Sequence, residues 1–130
     1  MKTLFTLLIS GILLFTSLPV YSEAQSKVEV FYKNRKPSQQ TLKEVKSILE
    51  KHAAKYQVEY HCITDSSTEK LIKKYNLPET HFPFAVVVNG KYCATIDSKN
   101  IVFLEFPLFM KGIGRHEGNW SMDHLNKVLN

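Results

Sequence analysis

Phe82 to Val88 reads FPFAVVV, and Asn89-Gly90 follows it at once. An unbroken apolar run of this length suits a strand buried on both faces of a sheet. Asn-Gly between two strand-like runs marks a tight hairpin, because a type I′ turn needs positive φ at both of its central residues. Lys91 to Asp97 alternates apolar and polar, as a returning strand would. The chain is therefore committed to a sheet with a doubly covered central strand. Helices must supply the cover.

The rest of the sequence offers those elements. Val28 to Tyr32, VEVFY, is rich in Val and aromatics and predicts a first strand. Leu42, Val45, Leu49, Ala53 and Tyr56 recur at steps of three and four, the spacing of one helix face. Ser38 or Thr41 is placed to cap that helix. Val58 to Thr64 alternates and predicts a second strand. Ser66 and Glu69 have capping-box spacing before a short helix with Leu71, Ile72 and Tyr75 on its apolar side. Ser121 to Leu129 predicts a last helix, with Ser121 as N-cap and Met122, Leu125 and Leu129 facing inward. The predicted order is βαβαββα. Two helical crossovers imply that the first three strands are parallel, with the hairpin adding an antiparallel fourth.

The first residues belong to another category. Lys2 is the lone charge before Glu23, and Leu4 to Phe15 is almost wholly apolar. Pro19 interrupts the run and small residues follow at Ser22 and Ala24. A basic start, a short apolar core and a small-residue exit describe a secretory signal peptide over residues 1–22, with 24 as an alternative cleavage point. The run falls short of the roughly 20 apolar residues that span a bilayer. The expectation is an exported protein, periplasmic or extracellular, with one domain over residues 27–130 and no stable membrane span after cleavage.

The stretch KLIKKYNLPETHFPFAVVVNG, Lys70 to Gly90, carries a resemblance. It is similar to the part of the thioredoxin-like superfamily in which a helix ends in a Tyr-Gly-Ile-like turn, a loop reaches a cis-proline, and an apolar strand closes on Asn-Gly. Tyr75-Asn76-Leu77 stands at the helix end and Pro83 at the cis-proline, with a loop about two residues longer. The resemblance implies a four-stranded mixed sheet flanked by helices, in the spatial order second, first, third, fourth strand. It also locates an active site where the first helix begins. Thioredoxins hold Cys-x-x-Cys there, where the helix N-terminus lowers the pKa of the attacking thiol. In this chain Lys36-Pro37-Ser38-Gln39 occupies that position, and residues 25–61 contain no cysteine.

The two cysteines are Cys62 and Cys93. Export makes a disulfide worth testing. The implied strand order puts them on opposite edges, three spacings or roughly 14 Å apart. A disulfide requires Cα atoms within about 7 Å. Two small core cysteines are the expectation for each, since free cysteine is commonly buried.

Two regions carry candidate binding residues. Arg35, Lys36 and His81 would surround Phe82 and Pro83, whose backbone edge is suited to an extended peptide; Pro83, Asn89 and Gly90 also have structural roles in shaping the loop and turn. The second region follows the hairpin. IVFLEFPLFM, Ile101 to Met110, is apolar enough to fold back over a sheet edge, or to serve as a subunit interface. Lys111 to Trp120 then holds three of the five glycines around Arg115, His116, Glu117 and Trp120, a composition suited to a binding loop.

Other chemistries find little support. The formal net charge of +5 falls by one with Lys2, and the lysines are scattered without interleaved aromatics, so nucleic-acid binding is not indicated. His61, His81, His116 and His124 are dispersed, with no metal-ligand spacing, and no cofactor is expected. The function expected is a redox-inactive thioredoxin-like domain that binds a peptide or protein partner. A thiol oxidoreductase working through Cys62 or Cys93, and a structural subunit using the 101–110 segment, are the alternatives.

Overall fold

A computed structural model describes residues 26–78, 82–108 and 116–130. The expected signal peptide, His81 and Arg115 lie outside them. The elements are β1 (Ser26–Tyr32), α1 (Lys36–Glu50), β2 (Tyr56–Cys62), a 3₁₀ turn (Ser66–Thr68), α2 (Glu69–Lys74), β3 (Phe84–Val88), β4 (Cys93–Ile96), β5 (Lys99–Val102) and α3 (Met122–Leu129). The chain is a mixed α/β protein built on a three-stranded sheet of order β2-β1-β3, with β4 and β5 paired as a separate hairpin.

β1 and β2 run parallel, with Ser26 opposite Tyr56 and Tyr32 opposite Cys62. β3 departs from the expected parallel arrangement: it is antiparallel to β1, with Val28 opposite Val88 and Tyr32 opposite Phe84. The chain re-enters the sheet at the end where β2 stopped: Phe84 lies opposite Tyr32, which lies opposite Cys62, so β3 runs back against β1.

The Asn-Gly turn forms as its chemistry requires, with φ of 49° at Asn89 and 81° at Gly90. Val88 and Lys91 close it through bonds of 2.8 and 3.1 Å. Asn89 also ties the turn to β1, where its Oδ1 accepts from the Lys27 N–H at 2.9 Å. A second turn of the same handedness, at Asp97 and Ser98 with φ of 50° and 63°, joins β4 to β5. β5 and its continuation take up the apolar segment: the Val86 N–H donates to Phe103 O at 2.9 Å, and Ala85 bridges Leu104. The segment thus covers the outer edge of β3.

Each face of the sheet has its own core. Val28, Val30, Phe84 and Val86 face α1 and α3 and meet Leu42, Val45, Leu49, Leu125 and Leu129. Phe31, Ala85 and Val87 face α2 and pack with Leu77, Phe82, Leu71 and Ile72. α1 begins at Arg35 without a side-chain cap, so neither Ser38 nor Thr41 has the capping role expected. Their hydroxyls donate instead to Pro83 O at 3.0 Å and Pro37 O at 3.1 Å. The Ser66–Glu69 box is likewise replaced by the 3₁₀ turn. At α3 the cap does form: Ser121 Oγ accepts from the His124 N–H at 3.2 Å, and His124 Nδ1 accepts from the Ser121 N–H at 3.1 Å.

Trp120, expected on a binding loop, is instead fully buried. Its ring stacks on Phe84 and meets Phe103 edge-on, with centroids 6.2 and 5.7 Å away. Its N–H donates to the carbonyls of Leu104 and Glu105 at 3.0 and 3.1 Å. A large apolar ring with its one donor satisfied has no reason to stay in water. Gly118 allows this approach, since a Cβ there would lie 2.3 Å from the Leu104 carbonyl oxygen. Trp120→Ala should lower the unfolding free energy by about 3–5 kcal/mol, measured by urea denaturation. Gly118→Ala should also be destabilising, although it removes no apolar atom.

Candidate functional site

β1 is bonded on both edges and covered on both faces, yet it carries an acid. Glu29 is only 2% exposed. Strand alternation points it, with Lys27, to the α2 face, and the parallel register brings Glu59 and His61 of β2 alongside. Lys27 Nζ lies 3.3 Å from Glu29 Oε1 and 3.2 Å from Glu59 Oε2. His61 Nε2 lies 3.2 and 3.5 Å from the same two oxygens. Tyr75, at the end of α2, hydrogen-bonds Glu29 through its hydroxyl. The His61 ring also packs on Phe31, with centroids 5.1 Å apart.

The electrostatics follow from these contacts. Burial pushes the Glu29 carboxyl up, but hydrogen bonds from Tyr75, Lys27 and His61, with the Lys27 charge, more than offset it and hold it below its ordinary value. Lys27 is raised, chiefly by its hydrogen bond to Glu59. Tyr75 is pushed up to about 12 by burial and its bond to Glu29. Glu29, Glu59 and His61 offer ligand atoms within 4.8 Å of one another, the one such group among the described residues. Lys27 already places a cation between the two carboxylates. Nor is Glu29 poised as a general base, which works best near the operating pH. The cluster is an ionic brace joining β1, β2 and α2.

The residues marked by sequence divide into three places. Arg35 and Lys36 are exposed at the start of α1, with no acid in its first turn. Phe82 and Pro83 are buried close by, and Ser38 Oγ ties the helix start to Pro83 O at 3.0 Å. No cis peptide bond occurs among the described residues, so the Phe82–Pro83 bond expected to be cis is trans. Trans is the lower-energy form for an X–Pro bond unless the surroundings impose the other. His116 and Glu117 are exposed elsewhere, beside Phe106, whose N–H donates to His116 O at 2.7 Å. Glu105 Oε2, itself buried, approaches His116 Nδ1 at 3.2 Å without hydrogen-bond alignment.

No family model, curated protein or solved structure matches this chain. The site rests on its own geometry.

Neither cysteine is a core residue, contrary to expectation. Cys62 is half-buried, with Sγ 3.2 Å from Thr64 Oγ1, and Cys93 is exposed; both are free thiols. Both sit where only one side of the strand is covered, β2 at a sheet edge and β4 in the outer hairpin. The 101–110 segment, considered as an interface, buries Ile101, Phe103, Phe106 and Pro107 within this chain. Among the described residues no helix is long and apolar enough to cross a membrane.

Sequence reading passed over the Glu29 cluster. The signal was present: an acid between two valines in a strand predicted to be central has no solvated face to occupy.

A depressed carboxylate adds stability that is complete above its unfolded pKa and is lost as pH falls through the folded one. The brace should therefore hold at neutral pH and weaken as pH drops below about 4.3. Urea midpoints measured from neutral to acid pH should fall more steeply for the native chain than for Glu29→Gln. Parallel curves would remove Glu29 from the account.

Proposed function

We propose that this chain is an exported thioredoxin-like domain that binds a peptide or protein and carries out no thiol–disulfide exchange. The observation behind the reading is the buried Ser38 Oγ–Pro83 O contact of 3.0 Å. It holds the start of α1 against the proline loop, the two segments between which the resemblance locates an active site. The strand order β2-β1-β3, with α1 and α3 on one face and α2 on the other, supports the reading, while β4 pairs with β5 and not with β3.

At that place the side chains available to a ligand are basic. Arg35 and Lys36 are exposed, the first turn of α1 contains no acid, and no side chain among the described residues caps it. An uncapped helix start and two cations favour a carboxylate. An extended segment bearing acidic side chains is the ligand class that fits. Phe82 and Pro83, being buried, form the floor of the site rather than its contacts.

Thiol chemistry lacks its second partner. Cys62 is on β2 and Cys93 on β4, in different sheets. Native thiol titration should find Cys93 reacting fast and Cys62 slowly, with Cys93→Ser abolishing the fast phase. Disulfide-reductase assays should show no turnover. Turnover that disappears in Cys93→Ser would instead establish a thiol enzyme. Binding is tested by amide shift mapping with a Glu-rich extended peptide and a Lys-rich control. Shifts at residues 35–38 and 82–84 with the acidic peptide are expected. Their absence with both peptides would end the binding reading at this site.

A further inference from the structure

The two edges of the sheet are treated differently. The outer edge of β3 is covered by Lys91 and by Phe103 and Leu104. Among the described residues the outer edge of β2 has no strand beside it. That edge runs over seven residues, YQVEYHC, with no proline, glycine or lysine to discourage pairing. Its charged residue, Glu59, is already matched by Lys27 at 3.2 Å and His61 at 3.5 Å. Tyr60, at 38% exposure, is the one large apolar side chain left exposed among the described residues.

The backbone of the edge is ordered for pairing. The Ile63 N–H donates to Tyr32 O at 2.8 Å, with Tyr32 opposite Cys62. In a parallel ladder this directs odd-numbered residues of β2 toward β1 and sends the N–H and C=O groups of Val58 and Tyr60, and the Cys62 N–H, outward. The Cys62 carbonyl is already used by the Asp65 N–H at 3.1 Å and Thr68 Oγ1 at 2.8 Å.

We propose that this edge joins two copies of the chain, their β2 strands pairing antiparallel about a two-fold axis at Tyr60 so that the two sheets become continuous. Charge complementarity selects both the occupant and the register. An axis at Tyr60 sets Glu59 against His61 of the second copy in the close, non-hydrogen-bonded pairs, and Val58 against Cys62. It also sets Tyr60 beside Tyr60, each ring carrying Lys46 Nζ of its own chain 4.8 Å from its centroid. An axis at Glu59 would oppose two carboxylates, and one at His61 would oppose two imidazoles. In the Tyr60 register that residue exchanges both backbone bonds with its copy, and the Cys62 N–H of each chain reaches the Val58 carbonyl of the other. So short an interface belongs at the small end of specific contacts, below about 1,200 Å², and the dimer should form in a concentration-dependent way.

Sedimentation velocity of the secreted, processed chain should show a rising dimer fraction through the micromolar range. Tyr60→Lys, which places two ammonium groups on the axis, should remain monomeric with an unchanged circular dichroism spectrum. Cysteine trapping tests the register. In a Cys62→Ser, Cys93→Ser background, Tyr60→Cys should oxidise to a covalent dimer, since Cα atoms of such a pair are about 5.5 Å apart. Glu59→Cys should cross-link no more than Ser47→Cys on the exposed face of α1. A monomer at all concentrations, a Tyr60→Lys dimer, or stronger trapping through Glu59→Cys would each overturn the proposal. A monomer that takes up the acidic probe peptide along Val58 to Cys62 would assign the edge to a different chain and overturn it equally.

Discussion

The ionic contacts around Glu29 are what allow a charged residue to remain in the central strand. β1 is paired to β2 on one edge and β3 on the other, so both faces must be covered for the sheet to be dry. Removing a carboxylate from water costs several kcal/mol unless charge and hydrogen bonds replace its hydration. Lys27, His61 and Tyr75 supply that replacement, and each comes from a different part of the fold: β1 itself, β2 and the end of α2. The acid can be buried only when all three are assembled. The brace is therefore a condition on the arrangement of β1, β2 and α2 more than a source of net stability, which buried ion pairs supply poorly.

The opposite edge of the sheet is organised by apolar packing. The chain after β5 turns past Phe103 and Leu104, passes Glu105 at a φ of 65°, and runs beside residues 116–120. Trp120 fixes this return by burying its ring against Phe84 and giving its N–H to two carbonyls of the returning strand. Gly118 is required there because the Leu104 carbonyl occupies the space of a side chain. A region with the composition of a binding loop is thus anchored at its C-terminal end by a core tryptophan. Its glycines serve close packing at least at Gly118.

Local chemistry was readable wherever the signal was local. Asn89-Gly90 specified a turn with two positive φ values, and Ser121 specified a cap, since each depends on a few adjacent residues. The direction of β3 is not legible in sequence because a helix between two strands does not say at which end the chain re-enters the sheet, and here β3 begins beside the end of β2. β5 was missed because Asp97-Ser98 is a weaker turn signal than Asn-Gly, and IVFLEFPLFM has no alternation to mark a strand. Trp120 was misplaced by its glycine-rich neighbours, although burial is the default for so large an apolar ring. The cysteines were misplaced because a cysteine near a sheet edge is not held to the core by its own small apolar area. The Glu29 brace needed a register between strands thirty residues apart, which no window of sequence contains.

What remains exposed limits what the molecule can do. The reactive centre of a dithiol enzyme needs two sulfurs within bonding distance at a helix N-terminus. Here the helix start carries Lys36, Pro37, Ser38 and Gln39, and the Ser38 hydroxyl donates to Pro83 O at 3.0 Å. A serine at this place has no thiol to oxidise. The helix start is basic, with Arg35 and Lys36 exposed. The exposed Cys93, far along the chain in a separate hairpin, adds a thiol without adding a partner for it.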